Sequence, residues 1–151
     1  MFISPRDIPD LELTDDDTIV FVDDFSGTGD QVVGFWPQTQ ELIGSEATAY
    51  LLLAAATENA VARIEQETSL KVFAGRTLNE KSNIFGGTST VFGQRQRNCL
   101  LKYCTAADKK APKGYGDCGL LFAFGHTTPN NSIPVLHASK QTWRGLLPRV
   151  L

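Results

Sequence analysis

The chain has 151 residues, 42% hydrophobic and 21% charged, a balance that suits one globular domain and excludes a disordered or fibrous chain. A net charge of −3 gives the molecule as a whole no electrostatic reason to bind nucleic acid or an anionic membrane. No apolar run approaches the roughly 20 residues of a membrane span, and the acidic N-terminus lacks the basic and apolar parts of a signal peptide, so a cytoplasmic, membrane-free protein is expected.

Residues 1–17 are acidic and show little apolar periodicity, so they read as an N-terminal arm ahead of a domain spanning 18–151. Thr18 to Val22 is β-branched and aromatic, the composition of a buried strand. Turn-forming residues follow, and Gln31 to Ile43 then has helical spacing, with Pro37 expected to kink or restart the helix. Ala47 to Ala56 is a second apolar run. Thr57 stands as an N-cap before a helix over Asn59 to Thr68, and Leu70 to Ala74 makes a third strand. Strand, helix, strand, helix, strand is the order of a parallel sheet with flanking helices, so the fold class is α/β.

The pattern changes after Gly75. Residues 75–93 are rich in Gly, Ser, Thr and Asn, as in a loop or insertion. An amphipathic helix is expected over Gln94 to Thr105, with Arg95, Arg97 and Lys102 outward and Leu100, Leu101 and Cys104 inward. Asp108 to Asp117 reads as a basic loop, Leu120 to Phe124 as a last strand, and His126 to Ser132 as a polar turn. Three cysteines without C-x-x-C spacing, and two histidines far apart in sequence, match neither a disulfide framework nor a tetrahedral zinc site.

The chemistry concentrates in Ile19-Val-Phe-Val-Asp-Asp-Phe-Ser-Gly-Thr-Gly29. The strand carries Asp23 and Asp24 toward the carboxyl edge of a parallel sheet, where open α/β proteins place ligands. Gly27 and Gly29 let backbone N–H groups curl around an anion, and the helix beyond adds positive potential. Ser26 and Thr28 add hydroxyl donors. A sugar phosphate suits both halves: hydroxyls for the carboxylates and phosphate for the turn. A dinucleotide fingerprint is excluded because Val32 stands where the third glycine belongs, and no Walker A sequence occurs to accompany a Walker B strand.

The segment IVFVDDFSGTGD resembles the phosphoribosyl pyrophosphate (PRPP) binding motif of type I phosphoribosyltransferases. Together with HTTPNNSIPVLH and WRGLLPR it resembles, more closely, a phosphoribosyltransferase-like family of bacterial conflict systems, some associated with retron reverse transcriptases. The resemblance implies that Asp23 and Asp24 hold the ribose hydroxyls, that Ser26, Gly27, Thr28, Gly29 and Asp30 surround the 5-phosphate, and that Mg2+ accompanies PRPP. Thr127 to Pro134 reads either as a turn stabilised by its Asn side chains or as a loop over the sugar-phosphate site, with Asn130 and Asn131 as ligand contacts. Asp30 and Gln31 depart from the small and hydroxyl residues usual at the end of the loop.

The 17 residues before the first strand are too few for the strand–helix–strand unit that precedes this motif in type I enzymes, which needs roughly 30 residues. The chain is therefore expected to form the C-terminal part of such a fold, completed by a protein partner or by oligomerisation. The implied function is a PRPP- or nucleotide-binding subunit of an antiphage or toxin complex. A catalytically inactive sensing or scaffolding subunit is the alternative. The basic cluster Lys109, Lys110 and Lys113 reads first as a solvated face, with nucleic acid the alternative partner.

Overall fold

A computed structural model of the chain describes residues 5–11, 13–14, 16–44, 47–140 and 143–148. Two compact units divide it, Met1–Thr77 and Leu78–Leu151.

In the first unit, the β-branched run after Asp17 forms β1 (Thr18–Ser26), followed by α1 (Asp30–Ile43), β2 (Thr48–Thr57), α2 (Glu58–Glu67) and β3 (Lys71–Leu78). The strands make a three-stranded parallel sheet in the order β1-β2-β3, as the alternation of strand and helix predicts. β1 and β2 pair in register from Thr18 against Thr48 to Ser26 against Ala56. Leu51 and Leu53 of β2 are buried with Trp36, Ile43 and Ile64, so α1 and α2 bury their apolar sides on one face of the sheet. Strand alternation sends Val20, Val22, Leu52 and Phe73 to the other face. There they are 48%, 69%, 41% and 57% exposed. Parallel sheets are normally covered on both faces, so this bare apolar surface is unusual.

Two local expectations need revision. α1 continues through Pro37 from Asp30 to Ile43 rather than restarting there. Pro37 is exposed, while Trp36 and Ile43 anchor the helix into the core. The N-terminal segment is more than a lead-in, because Ile8, in a 3-10 turn over Pro5–Asp10, is buried in the same core as Trp36.

The second unit is built around α3 (Gln94–Ala107), whose Cys104 and Ala107 are buried with Ile84, Ile133, Val135 and Leu136. The unit also contains 3-10 turns at Glu80–Ser82 and Tyr115–Asp117, a short helix, α4 (Pro134–His137), and a two-residue antiparallel pair, β4 (Ser139–Lys140) with β5 (Trp143–Arg144). The strand expected over Leu120 to Phe124 does not form. Only Leu120 makes bridges, to Asn83 and Ser132, while Phe122, Phe124 and His126 spend their apolar surface stacking on one another. Among the described residues no helix is long and apolar enough to cross a membrane.

Ile64 is fully buried between sheet and helices. Ile64→Ala is expected to cost about 2–5 kcal/mol through lost transfer energy and the cavity left behind. Urea denaturation followed by far-UV circular dichroism measures it; a loss under about 1 kcal/mol would contradict the packing described.

Candidate functional site

The acidic pair lies in β1 itself, which continues beyond Val22 to Ser26, with Phe25 paired to Ala55 and Ser26 to Ala56. Both carboxylates are exposed. The period of two directs Asp23 and Asp24 to opposite sides of the strand. Asp23 lies opposite Leu53, and its Oδ1 accepts the Asp24 N–H at 2.8 Å.

The turn after Ser26 is held from behind by α2. Gly29 adopts φ 77°, ψ −10°, left-handed backbone that favours glycine. A Cβ there would also stand 3.2 Å from Ile64 Cγ1 and 3.3 Å from the Ala60 carbonyl. The Thr57 hydroxyl donates to the Gly27 carbonyl at 2.7 Å, and its oxygen accepts the Ala60 N–H at 3.1 Å as the N-cap of α2. Arg63 Nη1 donates to the Thr28 carbonyl at 3.3 Å.

These two contacts orient the loop. In a trans peptide the C=O of one residue and the N–H of the next point in opposite directions. With the Gly27 and Thr28 oxygens drawn toward α2, the amides of Thr28 and Gly29 face away from it, and neither meets a protein acceptor among the described residues. The Thr28 and Gly29 amides are thus turned to the side opposite α2. The Thr28 hydroxyl oxygen accepts the Asp30 N–H at 3.4 Å, so Thr28 contributes to the start of α1 as well as to the turn.

Asp30 opens α1 beside this turn, and its carboxylate is held twice. The Thr28 hydroxyl donates to Oδ2 at 2.8 Å, and Arg63 Nη1 forms an ion pair with Oδ1. Arg63 Nε also donates to Glu67 at 2.8 Å. Its guanidinium is held above its usual range by its bonds to Glu67 and then Asp30.

Beside β1, a cleft of about 390 Å³ is lined by Phe21, Asp23, Gln31, Phe35, Trp36 and Leu42, among others. Gln31 and Leu42 lie at opposite ends of α1, so the cleft follows the helix for roughly 16 Å at 1.5 Å per residue. Trp36 meets Phe21 edge to face, with ring centroids 6.2 Å apart, and serves as a core anchor. No group of three or more His, Cys, Asp or Glu among the described residues could hold a metal ion.

Asn130 and Asn131 belong to the second unit. Asn131 is buried, and its amide donates to the Tyr115 carbonyl at 3.1 Å and toward Cys118 Sγ at 3.5 Å, bonds that fix a turn. Asn130 has an exposed side chain, and its carbonyl accepts the Tyr115 N–H at 2.8 Å. Lys109 and Lys110 are exposed, and Arg97 donates to the Gly86 carbonyl.

Sequence reasoning found the loop but missed its supports. Thr57 was legible as a cap, yet a cap uses only the hydroxyl's lone pair and leaves its proton for another acceptor. Arg63 gave only an i,i+4 pairing with Glu67 as a signal; its reach to Thr28 and Asp30 depends on tertiary packing.

A strand bearing two carboxylates, an amide-lined turn opening a helix and a parallel sheet behind them define a phosphoribosyltransferase-like α/β protein. A family model described as PRTase-CE matches residues 1–149, and the chain belongs to that family. No curated protein and no solved structure matches it.

Thr57→Val removes both the cap and the Gly27 anchor at nearly constant volume. It should destabilise the chain by about 1–3 kcal/mol in urea denaturation, whereas Thr57→Ser, which keeps both bonds, stays within about 1 kcal/mol of wild type. Equal effects of the two variants would show that the hydroxyl contributes nothing.

Proposed function

We propose that this phosphoribosyltransferase-like chain binds PRPP, or a nucleotide, as a subunit of a bacterial antiphage complex such as a retron system. The observation that carries the reading is the turn immediately after two exposed carboxylates on one strand, its Gly27 and Thr28 carbonyls held toward α2 by Thr57 and Arg63. Asp23 and Asp24 accept hydrogen bonds from the ribose hydroxyls, and the Thr28 and Gly29 amides receive the 5-phosphate. The hydroxyl of Ser26, buried at the strand end, and the backbone of Gly27 close the turn around it.

In the forward reaction the C1–O bond to diphosphate breaks, a C1–N bond forms to a nitrogenous acceptor, and diphosphate leaves with the electron pair. The reverse sense cleaves a nucleotide's glycosidic bond. Fixed carboxylates near the ribose favour the oxocarbenium-like transition state by positioning and by charge. Mg2+ would accompany PRPP, held chiefly by the ligand's own oxygens and water, in keeping with magnesium's preference for keeping waters. The chain's contribution is to hold the ribose.

The bare sheet face and the cleft beside β1 support a partner chain, or a further copy, laid along that edge. The Lys109, Lys110 and Lys113 cluster is where such a complex would meet nucleic acid.

Calorimetry with PRPP and Mg2+ should give saturable binding that Asp23→Asn with Asp24→Asn weakens at least about tenfold, each lost charged hydrogen bond being worth roughly 1.5–3 kcal/mol. Unchanged affinity in the double variant sinks the ribose assignment. Binding without turnover, in the chain joined to its partner, marks the non-catalytic alternative. Sedimentation of the purified chain should report a species heavier than the 16.5 kDa monomer. Val22→Asp with Phe73→Asp should return it to the monomer, and a monomer at every concentration without those changes counts against association through this face.

A further inference from the structure

Asp30 poses an electrostatic problem for any phosphate site at this turn. A carboxylate at the mouth of an amide cradle repels a phosphate dianion, and both lie at the start of α1, where the field otherwise favours an anion. The geometry answers this with one side chain from α2. Arg63 Nη1 donates to the Asp30 carboxylate and to the Thr28 carbonyl, while Nε is anchored by Glu67. A single guanidinium thus neutralises the carboxylate beside the cradle and turns the peptide that presents the Gly29 amide.

We propose that Arg63 is a positioning residue for a phosphate monoester at the Ser26–Gly29 turn: it holds the ion-paired Asp30 carboxylate and the Thr28 carbonyl on the α2 side so that the turn presents its amides to the ligand. The proposal rests on the sugar-phosphate reading of the site and adds to it a residue from another element, 33 positions from the carboxylate it restrains. Arg63 acts here through Asp30 and Thr28, without touching the reacting atoms. Glu67 has a matching part. By occupying Nε, it fixes which edge of the guanidinium faces the turn, since the planar fork presents its donors in set directions.

The test is a 15N–1H NMR titration of the full chain with inorganic phosphate, following the Thr28 and Gly29 amides. Saturable shifts are expected in wild type. Arg63→Gln should weaken the response on the order of tenfold, as expected when a nearby carboxylate loses its counter-charge. Adding Asp30→Asn to Arg63→Gln should restore most of the loss, because the charge needing compensation is gone. A merely structural role for Arg63 predicts no such rescue. Wild-type amides that ignore phosphate, an Arg63→Gln variant that responds like wild type, or a double variant no better than the single one would each overturn the proposal.

Should Arg63→Gln fail to fold, Arg63→Lys answers alone. A single ammonium cannot hold Asp30 and the Thr28 carbonyl with Glu67 fixing its edge, so phosphate affinity should fall at least about threefold, and wild-type affinity in Arg63→Lys overturns the proposal. Ribose 5-phosphate separates this idea from the reading it rests on. If it binds wild type no better than phosphate, the ribose assignment fails and Arg63 keeps its role. If it binds tightly and Arg63→Gln leaves that affinity unchanged, the site stands and the role of Arg63 is lost.

Discussion

The site depends on the direction of two peptide planes. A glycine-rich turn left to itself offers a ligand carbonyls as readily as amides, and ordering each residue costs about 1–2 kcal/mol of conformational entropy. Here α2 fixes the choice in advance. Thr57 takes the Gly27 carbonyl, Arg63 takes the Thr28 carbonyl, and the close approach of Gly29 to Ala60 and Ile64 leaves the turn no room to roll over. Residues 57, 60 and 64 repeat at helical spacing, so one face of α2 both buries itself in the core and supports the loop. Stability and binding geometry are therefore coupled at this face. Ile64 supports the sheet and the turn together.

The acidic residues divide by what they can meet. Asp23 and Asp24 are exposed on β1 ahead of the turn, where ionised carboxylates suit hydroxyl donors. Asp30 lies after the turn, at the start of α1, where its charge would oppose a phosphate and is matched by Arg63 instead. An acidic pair ahead of a glycine turn is compatible with a sugar phosphate whose hydroxyls meet the carboxylates and whose 5-phosphate meets the turn.

The strand–helix–strand order of the first unit, the Thr57 cap and the Gly-Thr-Gly turn were legible because each is set by neighbours within one helical turn or one strand. The errors fall where tertiary packing decides. Ile8 is one apolar residue in a polar stretch and acquires meaning only from the core it enters. Pro37 is tolerated because its ring lies on the exposed side of a helix anchored by Trp36. Leu120 to Phe124 has strand composition without a ladder partner, and aromatic stacking takes over. The link from Arg63 to Asp30 spans a strand and two helices, and no local pattern announces it.

Sheet topology supplies the remaining constraint. Ligand crevices in open α/β sheets form where successive strands turn in opposite directions, so that adjacent helices lie on opposite faces. In this unit the order β1-β2-β3 advances one way only. With crossovers of the usual right hand, both helices fall on the same face, in agreement with one covered and one bare side. No switch point lies within these three strands, yet β1, which carries the acidic pair, stands at the edge. A strand added beside β1, with its helix on the bare face, would create the reversal at the position where Asp23 and Asp24 emerge. It would also cover Val20, Val22 and Phe73. The need for a crevice and the need to bury that face therefore converge on the same edge, which gives association along β1 a functional reason as well as a hydrophobic one.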